Sequence, residues 1–142
     1  MTTEDRAKTY YTPKDAEESI IYAREKYCKQ FDEIFEKIMR LETSTSLGAF
    51  TSLQYKTTGT AGMEAGNWIG LPKDISTVQY KDNQTGKMRK FIVFPTGVKG
   101  FADYFYKYVQ RNNGNYLNWN SRDPETQKRY AEKLSLIKTK IA

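Results

Sequence analysis

Histidine is absent from the 142 residues and cysteine occurs once, as Cys28. The first absence removes imidazole zinc sites, Ser-His-Asp triads and Cys-His dyads together, and the second excludes an intramolecular disulfide. Any catalysis by this chain is therefore expected to rest on carboxylates. No stretch approaches the ~18 consecutive apolar residues of a membrane span, and the opening Met1-Thr2-Thr3-Glu4-Asp5 lacks the apolar centre of a signal peptide. Stable membrane insertion and conventional secretion are accordingly not expected. Core-forming residues are plentiful: hydrophobic residues make up 38% and aromatics 14%, against 28% charged, which is too apolar for an intrinsically disordered chain. A chain of this size buries roughly 68–70% of its unfolded surface, enough for one core. With no internal repeat and no linker, residues 1–142 read as a single domain, of which 1–11 form a flexible leader.

The net charge of +6 is unevenly placed, since residues 1–42 carry 8 basic and 10 acidic side chains while residues 43–142 carry 15 and 7. The second part favours a polyanion. Nucleic acid, an anionic membrane surface and the bacterial cell wall each fit, as does a basic surface that only keeps the protein soluble. No zinc finger, basic zipper or RNA-recognition consensus is present, so nucleic acid is not the expected partner. Gly59-Thr60-Ala61-Gly62 lacks the Lys-Ser/Thr ending of a phosphate loop, and no cofactor is implied.

Thr12-Pro13-Lys14-Asp15 is a helix start, with Thr12 as cap, Pro13 in the first turn and Asp15 at the positive end of the dipole. Ile20, Ala23, Tyr27, Phe31, Ile34, Phe35, Ile38 and Leu41 then recur at spacings of three and four, predicting one long helix with a buried stripe that ends near Glu42. Cys28, near that stripe, reads as a small core residue rather than a nucleophile. Glycines 59, 62, 66 and 70 make 57–72 a loop-rich segment with Asn67-Trp68-Ile69-Gly70-Leu71 as its apolar knot. Ser76–Tyr80 and Met88–Phe94 are β-prone runs flanking a polar turn, which predicts a hairpin. Phe101, Tyr104, Phe105, Tyr108 and Val109 return to helical spacing until Asn112-Asn113-Gly114-Asn115, and a last helix capped by Asp123 buries Tyr130, Leu134, Ile137 and Ile141. The expected fold is mainly α, a helical domain of α+β type with one small β-hairpin.

Glu42 carries the chemical interest, because it extends the apolar stripe onto a carboxylate. It reads either as an ordinary solvated glutamate at a helix end or as a partly desolvated acid. Desolvation raises a carboxyl pKa and holds the proton nearer neutral pH, which a general acid needs in order to protonate a glycosidic oxygen.

Glu42-Thr43-Ser44-Thr45-Ser46 resembles the Glu-Ser/Thr-Gly-x-Ser signature that ends the catalytic helix in the glucosaminidase family of lysozyme-like peptidoglycan hydrolases. Asn67-Trp68-Ile69-Gly70-Leu71 is similar to that family's Asn-x-φ-Gly-φ turn, where φ is apolar, and Thr77-Val78-Gln79-Tyr80 to its hairpin motif Thr-x-Glu-Tyr. Phe91-Ile92-Val93-Phe94-Pro95-Thr96 resembles its Phe-Arg-x-Tyr-x-Ser run, Asp103-Tyr104 its next Asp-Tyr, and Asp123-Pro124 through Leu134 its closing Asp-Pro-x-Tyr-x-x-Lys-Leu helix. The resemblance spans about residues 35–140.

It implies a lysozyme-like fold and hydrolysis of a β-1,4 bond between the amino sugars of bacterial peptidoglycan by a monomer, with Glu42 protonating the leaving oxygen. A non-catalytic wall-binding or assembly module of the same fold is the alternative. Gln79 stands where the family places a second glutamate, so either the substrate's N-acetyl group assists, or Asp82, Asp74 or Glu64 takes over, or turnover is lost. Ile92 replaces the family's arginine, and the glycine-rich stretch is longer than usual. Sugar grooves favour aromatic walls with a few polar groups, which makes Asn67, Trp68, Tyr80 and Tyr104 the substrate-binding candidates, with Tyr116 and Trp119 behind them. Lacking a signal, such a protein is expected to be made in the cytoplasm and to reach the wall as a phage lysin, a virion component or an exported effector.

Overall fold

A computed structural model describes residues 11–61, 76–81, 86–94 and 97–141. At its start Thr12 and Asp15 form a reciprocal cap: the Thr12 hydroxyl accepts from the Asp15 amide at 3.3 Å, and the Asp15 carboxylate accepts from the Thr12 amide at 2.7 Å. This opens α1, Pro13–Lys26. Periodicity predicts one continuous helix to Glu42, but the chain breaks at Tyr27 and Cys28 and restarts as α2, Lys29–Thr43. Tertiary contacts override helical propensity here. The Tyr27 ring stacks on Tyr106 at 3.8 Å and its hydroxyl donates to Asp103 at 2.6 Å, while Cys28 is extended and its carbonyl accepts from Phe31 and Asp32. Cys28 is consequently exposed at the head of α2 and not a core residue.

After a tight turn come α3, Leu53–Thr58, which periodicity does not announce, and an antiparallel hairpin of β1, Ser76–Lys81, with β2, Met88–Val93. Its register pairs Thr77 with Ile92 and Gln79 with Lys90. The helix α4, Gly97–Arg111, ends where Asn113 and Gly114 turn left-handed. A 3-10 turn at Tyr116–Trp119 leads to α5, Pro124–Ser135, capped by Asp123 through the Thr126 amide at 2.9 Å. α5 stops short of Ile137 and Ile141, which periodicity places on it; Ile141 rejoins the core from an irregular segment. Buried Glu36 holds that segment, accepting from the amides of Lys140 at 2.7 Å and Ile141 at 3.2 Å, and also from Arg40.

The core lies where α1 and α2 meet α4. Phe35 is fully buried with ring centroids 5.7 Å from Phe101 and 6.1 Å from Phe105, and Trp119 closes the cluster 4.8 Å from Phe105. β2 packs on α3, and α5 on α2. The expected architecture, mainly helical with one small hairpin, is the observed one. Residues 1–10 of the expected leader lie outside the described residues, but Tyr11 is anchored. Its amide donates to the Lys56 carbonyl at 2.8 Å, and its ring lies between Gly59 and Gly97. A Cβ on either glycine would sit 3.0 Å and 3.2 Å from that ring, and both have positive φ. No helix among the described residues is long and apolar enough to cross a membrane.

Candidate active site

Glu42 is the penultimate residue of α2, and the segment after it is bound into a compact knot. The buried Thr43 hydroxyl donates to the Met39 carbonyl and accepts the Phe50 amide at 3.1 Å, while the Thr43 carbonyl accepts the amides of Thr51 and Ser52, each at 3.0 Å. Thr45 and Gly48 exchange backbone hydrogen bonds, and the Thr51 hydroxyl ties to Thr45 Oγ1 and to the Gly48 carbonyl, both at 2.6 Å. These short hydroxyl side chains meet backbone groups that the helix end would leave unsatisfied. α2 thus stops one residue past the carboxylate, and Thr43, Thr45 and Thr51 tie that end by hydrogen bonds.

A pocket of about 420 Å³ opens beside Glu42, lined also by Leu41 and, from across the chain, by Asn120, Thr126, Arg129, Tyr130 and Lys133. Its far wall is therefore the face of α5. The Tyr130 phenol is buried and makes no hydrogen bond of ordinary geometry, yet it lies close enough to Glu42 for each group to shift the other. Glu42 itself is solvent-accessible, as a proton donor to an external oxygen must be. Desolvation by the surrounding protein is nevertheless the largest influence on its carboxyl and raises the pKa, while the Tyr130 phenol and the Lys133 ammonium pull it back. Burial and the Glu42 charge push the Tyr130 phenol well above the ordinary tyrosine range.

The other sequence candidates fall elsewhere. Gln79 is exposed on β1 opposite Lys90 and does not line the Glu42 pocket. Tyr104 is half-buried on α4 with its ring 5.8 Å from Phe94, and desolvation raises its phenol to about 12. Its neighbour Asp103 is a tie between helices: the carboxylate accepts from Tyr22 at 2.8 Å, Tyr27 at 2.6 Å and Lys26 at 3.1 Å. Trp119 packs against Phe101 and Phe105, whereas Tyr116 lines smaller pockets between α2 and α5 and beside Cys28. Asn67 and Trp68 lie outside the described residues, as do Glu64, Asp74, Asp82 and the side chain of Tyr80.

Sequence periodicity assigns Tyr130 to packing and does not single out Asn120, Arg129 or Lys133. One signal for them exists. Thr126, Arg129, Tyr130 and Lys133 are spaced by three and four on a helix, so they share a face, although nothing local says that this face meets Glu42. No known protein family, curated protein or solved structure matches the chain.

Proposed function

We propose that this protein hydrolyses a β-1,4 glycosidic bond between amino sugars of bacterial peptidoglycan, with Glu42 as the general acid. One observation carries the proposal: a solvent-accessible carboxyl with a desolvation-raised pKa, on a helix end held by the Thr43 knot, facing a pocket beside a buried phenol. That combination favours the protonated carboxyl more than at an ordinary solvated glutamate, at a place an external oxygen can reach. Glu42 donates the proton to the glycosidic oxygen as the bond to the anomeric carbon breaks. With the neutral Gln79 on the hairpin, the sugar's own N-acetyl oxygen is the nucleophile that takes up the anomeric carbon, and water then opens the cyclic intermediate. The positive charge of residues 43–142 suits an anionic wall polymer, speeding encounter in a salt-dependent way.

The decisive experiment is Glu42→Gln, which removes the acidic proton and preserves shape. Clearing of a cell-wall suspension is expected to stop while the protein still melts cooperatively, no lower than wild type, and lysis at the wild-type rate defeats the assignment. In borohydride-reduced wild-type digests, mass spectrometry should find reduced N-acetylglucosamine; reduced or anhydro-muramic acid would mean that the other bond is cut. The Gln79 amide also favours a second reading, a wall-binding module without turnover. Walls that stay intact while glycan still pelleted the protein would select it.

A further inference from the structure

The pocket beside Glu42 holds more positive charge than proton transfer needs. Arg129 and Lys133 are one turn apart on α5, both exposed and both lining that pocket. Like charges at this spacing repel and slightly destabilise a helix, although Lys133 in the last turn is favoured by the helix dipole. Neither makes an ion pair among the described residues: the three ion pairs there join Arg24 to Asp32, Lys26 to Asp103 and Arg40 to Glu36. Arg129 reaches only the Glu125 carbonyl, at a long 3.5 Å, and Lys133 feels Glu42 as a charge without bonding to it. Tyr130 lines the same pocket with its hydroxyl buried and engaged with Glu42, and Asn120 lines it as well. Two exposed cations without ion-pair partners among the described residues and an asparagine lining one concavity are the parts of an oxyanion-binding subsite.

On the hydrolase function proposed above, we infer that Arg129 and Lys133 bind a carboxylate of the muropeptide stem beside the scissile sugar, with Asn120 supplying a neutral hydrogen bond. The subsite makes the pocket select peptide-bearing glycan over plain amino-sugar polymer. It also sets the direction in which the glycan lies, because the stem projects from alternate sugars only. A phosphodiester of an anionic wall polymer presents similar oxygens and is the other source of such a ligand.

The test is equilibrium binding, by titration calorimetry, of a purified disaccharide bearing an L-alanyl-D-glutamate stem, of its dimethyl ester and of glycerol phosphate, to wild type and to an Arg129→Gln/Lys133→Gln double variant. Both positions are exposed, so the variant should melt with wild type. The acid is expected to bind wild type about 3- to 10-fold tighter than the ester, an advantage the double variant and raised salt both abolish. Equal binding of acid and ester, no binding of any of the three, or an advantage that survives in the double variant overturns the inference. Tight glycerol phosphate binding with no preference for acid over ester overturns the peptide assignment in favour of the polymer phosphate. Failure of the hydrolase function is seen separately: a wild-type protein that leaves walls intact yet distinguishes acid from ester has the subsite without the reaction.

Discussion

Replacing Thr43 by Val keeps the β-branched shape of the side chain and removes its hydroxyl alone. That hydroxyl accepts the Phe50 amide at 3.1 Å in a fully buried setting, where no water takes its place. The amide left behind belongs to a residue with φ of 63°, a left-handed conformation that a phenylalanine holds only against a cost. An orphaned buried donor costs about 1–3 kcal/mol, and a domain of this size loses about 3–4 °C of melting temperature per kcal/mol, so Thr43→Val should melt roughly 3–12 °C below wild type. Thermal melts by circular dichroism measure this directly. Lysis of walls, assayed well below either transition, should fall roughly 10- to 100-fold, because a catalytic group displaced by about 1 Å loses that much. Thr51→Val is the control: its hydroxyl bonds to Thr45 and Gly48 at the exposed rim of the same knot, and its loss should cost under about 1 kcal/mol. If Thr43→Val lowers the melting temperature and leaves lysis untouched, the knot is a stability device and does not position Glu42. If it changes neither, the accounting of its hydrogen bonds is wrong.

Glu42→Gln should also show a pH signature. Because the folded pKa of Glu42 is raised, the folded state has its full stability below the unfolded pKa and loses some as pH rises through the folded pKa; the variant should therefore match wild type in acid and melt higher at neutral pH, and a variant melting lower there contradicts the desolvation. Gln79→Ala should cost far less lysis than Glu42→Gln. A loss as large as that of Glu42→Gln in Asp82→Asn, Asp74→Asn or Glu64→Gln, with folding intact, would replace the single-acid mechanism with a two-carboxylate one. Asp103→Asn should destabilise by about 1–3 kcal/mol by weakening bonds to Tyr22, Tyr27 and Lys26. The Asp103 carboxyl is itself desolvated, but those donors outweigh burial and lower its pKa; its contribution is thus present above the unfolded pKa and fades as pH falls through the folded one, so the gap to wild type should close in acid melts.

Local periodicity and capping chemistry settled by themselves where the first and last helices start, which faces the longer helices bury, where the hairpin lies and that Glu42 ends an apolar stripe. These features depend on residues three or four apart, or two apart in a strand, so a linear pattern contains them. The break at Tyr27 and Cys28 was invisible to the same pattern, because its causes, Tyr106 and Asp103, lie more than seventy residues away. Buried Glu36 and Asp32 look like ordinary helix-surface acids in sequence; besides the local Arg40, Glu36 is satisfied by the return of residues 140–141, and Asp32 by the reach of Arg24. The pocket followed the same rule. Glu42 could be named from its own neighbourhood, but the cations that line its pocket and the phenol that acts on its carboxyl come from α5, more than eighty positions along the chain. Burial and electrostatic environment are properties of what packs against a group, so they were decided only when α5 closed over the end of α2.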